Sequence, residues 1–476
     1  MVYFTCMPKL PDPTLELGPQ MPENQQPIPI KASASDIKKP ALGILVPVAA
    51  AIILGLAGFF ITKIVILPRL AKQAVTLTYW GLWEPSEVMA PVIAKYESSH
   101  PNIKINYQMQ SKTDYRERLQ SILARRDAQN MPDIMRIHQT WMPMFTAELE
   151  PAPADIFSVD EFGKSFYQDS LADVVVGGKV MAVPLMTEGL GLFVNNKILA
   201  ATDSGIPATW DDLRKTAFSL TKWDEQGRIT RSGMAMGTTN NVTSWPDILG
   251  LLMLQNSVDL AKPNATIDAR GRNLGADALR FYTIFTTQDR IWDKTLPPDI
   301  VAFATEKVAM MIAPSWQVHE IVALNAKLDF SVHPVPQLTS QRRIAWSSAW
   351  VEGVSKNSKN KKQAWEFLKY LSSQESLQTL YTEEAKVRPF GEIYPRRDMA
   401  QSLSGAKYAA VFAKQAEFAK SWYMASRTGD KGINDEIIAY YEDAINGIVD
   451  KQMAPEAVIE TVASGVKQVL TKFGVK

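Results

Sequence analysis

The sequence predicts an α/β protein of two lobes, preceded by one membrane-spanning helix. Three observations lead there. From residue 75 onward, alternating-residue strands and amphipathic helices follow one another in β-α-β-α-β order, which implies a parallel sheet with crossover helices. Roughly 400 residues of this mixed pattern are too many for one small sheet. Ahead of it, residues 41–62 form a run of 22 residues without a charge.

As a helix that run would span about 33 Å, enough for a hydrocarbon core of about 30 Å. Lys63 follows, then a second apolar patch at residues 64–67, so the anchor is placed at 41–67. A cleaved signal peptide is the nearest alternative. Its apolar region is typically about 7–15 residues, shorter than this one, and Ala71-Lys-Gln-Ala74 carries a lysine inside the only nearby small-residue pattern. Residues 1–40 hold eight prolines (Pro8, Pro11, Pro13, Pro19, Pro22, Pro27, Pro29 and Pro40) and no apolar periodicity, so they are expected to stay disordered. Residues 68–74 read as a linker.

The globular part, 75–476, opens on a strand in which Val75, Leu77 and Tyr79 alternate with Thr76 and Thr78. Ser86 then fits a helix N-cap, with Val88, Val92, Ile93 and Tyr96 on one face. After His100-Pro-Asn, a second strand alternates Ile103, Ile105 and Tyr107. Asp114 and Glu117 form a capping-box pattern before a helix bearing Leu119, Ile122 and Leu123. Met131-Pro-Asp leads into a third strand at 134–137. Further strands are expected at 180–184, 190–194, 308–312 and 330–335. Thr209 with Asp212 caps a helix carrying Leu213, Ala217 and Leu220. Residues 364–371 are helical, and three helical stretches follow Gly405. The first lobe is expected at about 75–185 and 338–388, the second at 189–335, with C-terminal helices at 395–476. Ligands of parallel sheets sit beyond the strands' carboxyl ends, so the loops after Trp80 and His138 are the places to look.

Composition excludes several function classes. Net charge is +1 and the isoelectric point near 7.7. No broad basic field exists to hold a phosphate backbone, so nucleic acid is not expected as a partner. Cys6 is the single cysteine, so no intramolecular disulfide forms and cysteine usage does not reveal the compartment. His319-Glu320 begins like a zinc-protease helix, but position 323 is Ala323, so the second ligand is missing. No phosphate-binding loop ending in Lys-Ser or Lys-Thr occurs, and no Gly-x-Ser-x-Gly elbow. No cofactor, metal or catalytic residue is assigned.

Seven segments, in order, resemble one family. They are Leu77-Thr-Tyr-Trp-Gly; Tyr96-Glu-Ser-Ser-His-Pro-Asn-Ile-Lys-Ile; Leu123 through Met131-Pro-Asp-Ile; Gly178-Lys-Val-Met-Ala-Val-Pro with Leu192-Phe-Val-Asn-Asn-Lys; Ile206-Pro-Ala-Thr-Trp-Asp-Asp-Leu; Ala302-Phe-Ala with Lys307-Val-Ala-Met and Pro314-Ser-Trp; and Ser355-Lys-Asn-Ser-Lys-Asn with Ala364-Trp-Glu-Phe-Leu. Together they are similar to the extracellular solute-binding proteins of ABC importers, the family that includes maltose-binding protein. The resemblance covers residues 75–476 and leaves the first 74 outside. It implies a type II periplasmic-binding-protein-like fold with an interlobe cleft, hinge closure over a carbohydrate, and permease subunits as partners. Most members are lipid-anchored or free, so the apolar run departs from the family's pattern; together, run and resemblance give the expectation of a single-pass cell-membrane protein with its C-terminal domain extracellular or periplasmic. The flanking charges (Lys31, Lys38 and Lys39 before the span; Lys63, Arg69 and Lys72 after it) nearly tie and do not orient it.

A sugar needs flat apolar rings for its C–H faces and fixed polar groups for its hydroxyls. Twelve tryptophans are available, none before residue 80. By the resemblance, Glu188 falls on a ligand-binding carboxylate at the interlobe crossing and Trp316 on a ligand-stacking aromatic. Trp83, Gln139 and Trp141 follow strands of the first lobe. Asn240 and Trp245 lie in a polar segment, Trp346 and Trp350 near the return strand, and Arg388 in a late loop. Trp210 and Trp365 lie on helix faces and read as packing. Two other readings of the same fold stand beside this one: a glycoside-processing enzyme, which needs two suitably spaced carboxylates, and a surface carbohydrate sensor or adhesin.

Overall fold

Two separate sheets carry the architecture. The computed structural model describes Gly55 and residues 74–125, 131–202, 205–339, 341–425, 428 and 432–475. The tail at 1–40, the expected anchor at 41–67 except Gly55, and the linker up to residue 73 lie outside the described residues. Among the described residues no helix is long and apolar enough to cross a membrane.

In chain order the strands are β1 (Val75–Gly81), β2 (Ile103–Met109), β3 (Ile134–His138), β4 (Leu149–Glu150), β5 (Val175–Val176), β6 (Lys179–Val180), β7 (Ala182–Pro184), β8 (Glu188–Asn195), β9 (Lys222–Trp223), β10 (Ile229–Met234), β11 (Val308–Pro314), β12 (Phe330–His333), β13 (Ala345–Ser348), β14 (Trp350–Ser355) and β15 (Ala419–Lys420). The first sheet runs β2-β1-β3-β14-β4, with β7 also on β14; the second runs β15-β13-β8-β11-β10-β9, with β12 also on β8. β1 is parallel to both β2 and β3, as the crossover helices require, while β14 returns antiparallel to β3 with Trp350 opposite His138.

The chain passes between the two sheets three times, at two short places and once through the long helical stretch between β14 and β15. Residues 185–187 join β7 to β8, and Ala349 alone joins β13 to β14. β13 therefore belongs to the second sheet, although the expected return to the first lobe is at residue 338. Those two crossings are short because strand ends of both sheets abut there, which brings the carboxyl-end loops of both sheets to one gap.

Local chemistry explains most elements. In β1, Leu77 and Tyr79 are buried while Thr76 and Thr78 face outward, the period-two alternation of a sheet covered on one face. The helix Trp210–Leu220 buries Trp210, Leu213, Ala217 and Leu220, and the Thr209 side chain accepts from Asp212 N at its start. Two expected caps differ. Pro85, not Ser86, is the N-cap of the helix Ser86–Ser99, and its side chain offers no acceptor. Asp114 carries φ +52°, not the extended backbone of an N-cap, so the capping-box reading fails there. Tyr441 is buried along the helix Ile433–Lys451.

Candidate functional site

A cavity of about 480 Å³ opens where the strand ends of both sheets meet. From the first sheet it receives Leu82 and Trp83 after β1, Trp141 after β3, and Trp350 at the start of β14. From the second it receives Glu188 and Leu190 of β8, Pro314 and Trp316 at the end of β11, and Trp346 and Ser348 of β13. Lys112, Tyr115, Met186, Gly189, Asp247, Arg388, Glu392 and Thr428 complete the lining. The volume lies in the ordinary range for small-molecule sites.

The rings are held in different ways. Trp83 and Trp350 are half-buried and cross edge to face at 4.9 Å and 85°. Trp141 adds a second edge contact to Trp350 at 5.2 Å, and its Nε1 donates to Thr428 Oγ1 at 3.0 Å. Such pairs suit the ring quadrupole and leave each indole little freedom. Trp346 is buried, and its Nε1 donates to Asp247 Oδ1 at 2.8 Å. Gly250 makes room for it: a Cβ there would overlap the Trp346 ring. Trp316 differs from all of these. It is 43% exposed, sitting at the N-cap of the helix Gln317–Leu324 just past β11. A large indole left open in a cleft is the informative kind of exposure.

Beneath the rings lies a buried ionic network. Arg136 of β3, 1% exposed, donates through Nη1 to both Glu84 oxygens and through Nε to Glu352 Oε1. Tyr79 Oη also donates to Glu352 Oε1, at 2.8 Å. The Arg136 guanidinium lies 5.5 Å from the Trp83 ring centroid, so the network underlies that indole. Arg388 donates to Glu392 Oε1 at 2.9 Å and pairs with Glu384 Oε2 at 2.8 Å. The carboxylates of Glu84, Glu384 and Glu392 approach one another closely, and Arg136 and Arg388 supply positive charge to them.

Glu188 stands between this network and the cleft. Ser315 Oγ donates to its Oε2 at 2.5 Å. Burial, followed by the nearby negative charge of Glu392, pushes its carboxyl up to about 8, against the lowering effects of Ser315 and Arg388. Glu384 is pushed up to about 8 by burial and by the same Glu392. The shift favours the protonated form, in which a carboxyl can both donate and accept.

Of the residues singled out by sequence, Glu188, Trp316, Trp83, Trp141, Trp346, Trp350 and Arg388 line this one cavity. Three do not. Trp245 is buried at the start of the helix Trp245–Gln255, away from the cleft lining. Asn240 is exposed in the turn before it, while its neighbour Asn241 is buried and donates to Asp293 O and Leu296 O. Gln139 is buried in the single turn Gln139–Trp141 and lines a different cavity. Sequence reasoning did not name Lys112, Tyr115, Asp247, Ser348, Glu392 or Thr428. Glu392, four residues from Arg388, and Ser348, between Trp346 and Trp350, had local signals; Lys112, Tyr115 and Thr428 reach the cleft through non-local packing.

Residues 83–378 match the family model described as bacterial extracellular solute-binding protein. A provisionally described binding protein of Brucella abortus (strain 2308) is 21% identical over 393 residues, covering 79% of this chain and 88% of its own. Among solved structures, a cyclo/maltodextrin-binding protein complexed with maltotetraose superposes with a TM-score of 0.67 at 16% identity, over 84% of this chain and 98% of that one. The sugar-binding protein MalE of Xanthomonas citri gives 0.66 at 19% identity, over 83% and 98%. At these identities the structural likeness establishes a shared two-lobed fold. With a family model spanning more than half its length, the chain belongs to the bacterial extracellular solute-binding protein family.

Proposed function

We propose that this protein captures a carbohydrate in the interlobe cleft and delivers it to an ABC-type importer, by closure of the lobes and without turnover. The carrying observation is the lining of a single cavity by five indoles and one phenol together with Glu188, Lys112 and Arg388. Rings of this density match the C–H faces of pyranoses, and the carboxyl and cationic groups match their hydroxyls. The binding of maltotetraose by a structural neighbour supports the same ligand class. The two short crossings, at 185–187 and at Ala349, are the natural hinge.

Turnover is not part of the reading because the carboxyls are poorly disposed for it. Glu188 and Glu392 lie side chain against side chain, leaving no gap for a glycosidic bond between them, and Asp247 is engaged by Trp346. The uncharged run at 41–62 further fits an anchor that keeps the binding domain at the outer face of the membrane, facing permease subunits.

Calorimetric titration of the full chain with malto-oligosaccharides and with mannobiose tests the assignment. Saturable binding near the micromolar range, about −8 kcal/mol, is expected, accompanied by a smaller radius of gyration in solution scattering. Absence of heat with every saccharide, or release of shortened sugar, overturns it.

A further inference from the structure

Gln139 does not reach the cleft, yet its side chain is not idle packing. It lies 4% exposed with Nε2 lacking a hydrogen-bond partner among the described residues, and it lines a second cavity of about 260 Å³ that shares no lining residue with the first. A buried amide N–H without an acceptor is costly, and such groups point to a molecule that belongs beside them.

The rest of the wall has one chemistry. Asp173, half-buried near the end of the helix Gln168–Val174, accepts from Ser421 Oγ on both carboxylate oxygens at 2.7 Å each. A single hydroxyl proton cannot serve both oxygens fully, so acceptor capacity remains. Trp422 and Tyr423 follow β15, half-buried, with ring centroids 5.6 Å apart and planes at 59°. Thr140 and Met142 close the first-lobe side.

We propose that this cavity is a second binding site, for one small polyhydroxylated molecule between glycerol and a single pyranose in size. A ligand hydroxyl accepts from Gln139 Nε2 and donates to Asp173, and the ligand's C–H faces meet Trp422 and Tyr423. A hydroxyl is the group that satisfies an unpaired donor and a carboxyl acceptor together; an ammonium would leave Gln139 unpaired. Burial and the neighbouring Asp169 also push the Asp173 carboxyl up to about 8, which favours a neutral guest over a cation at neutral pH. The site is independent of the cleft reading, since the two cavities have separate walls.

Methionine methyls separate the two cavities experimentally: Met142 lines this one and Met186 the cleft. The full chain, labelled at methionine methyls and held in detergent micelles, is titrated with glycerol and separately with D-glucose. The Met142 resonance is expected to shift and saturate with at least one of them. Gln139→Leu and Asp173→Leu should each abolish the shift, and Trp422→Ala, at a half-buried position, should weaken binding at least fivefold. A Met142 resonance that never moves, moves linearly without saturating, or saturates unchanged in the Trp422→Ala and Asp173→Leu variants overturns the proposal. A response of Met186 alone also counts against it, while leaving the cleft assignment intact.

Discussion

Trp83 and Trp350 meet edge to face, 4.9 Å between centroids, although one lies in the loop after β1 and the other opens β14. Their contact joins the start of the first lobe to the strand that re-enters it from the second. Since Trp141 and His138 also press on Trp350, at 5.2 and 5.0 Å, this indole is the centre of the first-lobe wall.

Trp350→Ala should therefore cost both stability and binding. Loss of its burial and of three ring contacts is expected to lower stability by about 3 kcal/mol. Chemical denaturation reads the first effect and saccharide titration the second. Affinity retained at the wild-type level would show that Trp83 keeps its position unaided.

Trp316→Ala should separate the two effects. The ring is 43% exposed, so stability should move by less than about 0.5 kcal/mol. Saccharide affinity should fall at least about tenfold, near 1.4 kcal/mol. Matched melting and titration curves decide it. Unchanged affinity removes Trp316 from the binding surface.

Removing Arg136 should be strongly damaging, because it is buried between two carboxylates. Arg136→Met leaves Glu84 and Glu352 buried without their cation, at about 3–5 kcal/mol. Little soluble protein should be recovered. Adding Glu352→Gln to it should restore part of the loss, because one unpaired charge is then gone. A single variant as stable as wild type would mean the network is dispensable.

Stability should fall as pH rises from 6.5 to 8. Glu188, Glu384 and Asp173 are each pushed up to about 8 by burial, against ordinary carboxyl values near 4. In that window the unfolded chain has lost these protons and the native chain keeps them, so the native state binds more protons and rising pH favours unfolding. The histidines act lower: burial pushes His138 down to about 3 and His319 to about 4, which costs stability as pH falls below about 6.5. Urea midpoints at pH 6.5 and 8 should differ in that order, and Glu188→Gln should flatten the difference. A midpoint that rises with pH contradicts the assignment.

Local pattern carried much of the fold. The alternation at Val75, Leu77 and Tyr79 and the cap at Thr209 depend on neighbours two to four residues away, and both stand in the structure. Ser86 and Asp114 show the limit of the same logic. Their residue types suit caps, but the backbone around them was set by Pro85 and by a left-handed turn.

From sequence alone came the order of strands and helices, the family likeness and a supply of tryptophans near strand ends. Tertiary structure alone decided which indoles stay open. Trp316 is exposed and Trp245 buried because segments distant in sequence cover one and not the other. It also set the upward shift of the Glu188 carboxyl, whose neighbours Glu392, Ser315 and Arg388 come from later parts of the chain. Periodicity is a property of adjacent residues, whereas desolvation is a property of everything packed around an atom.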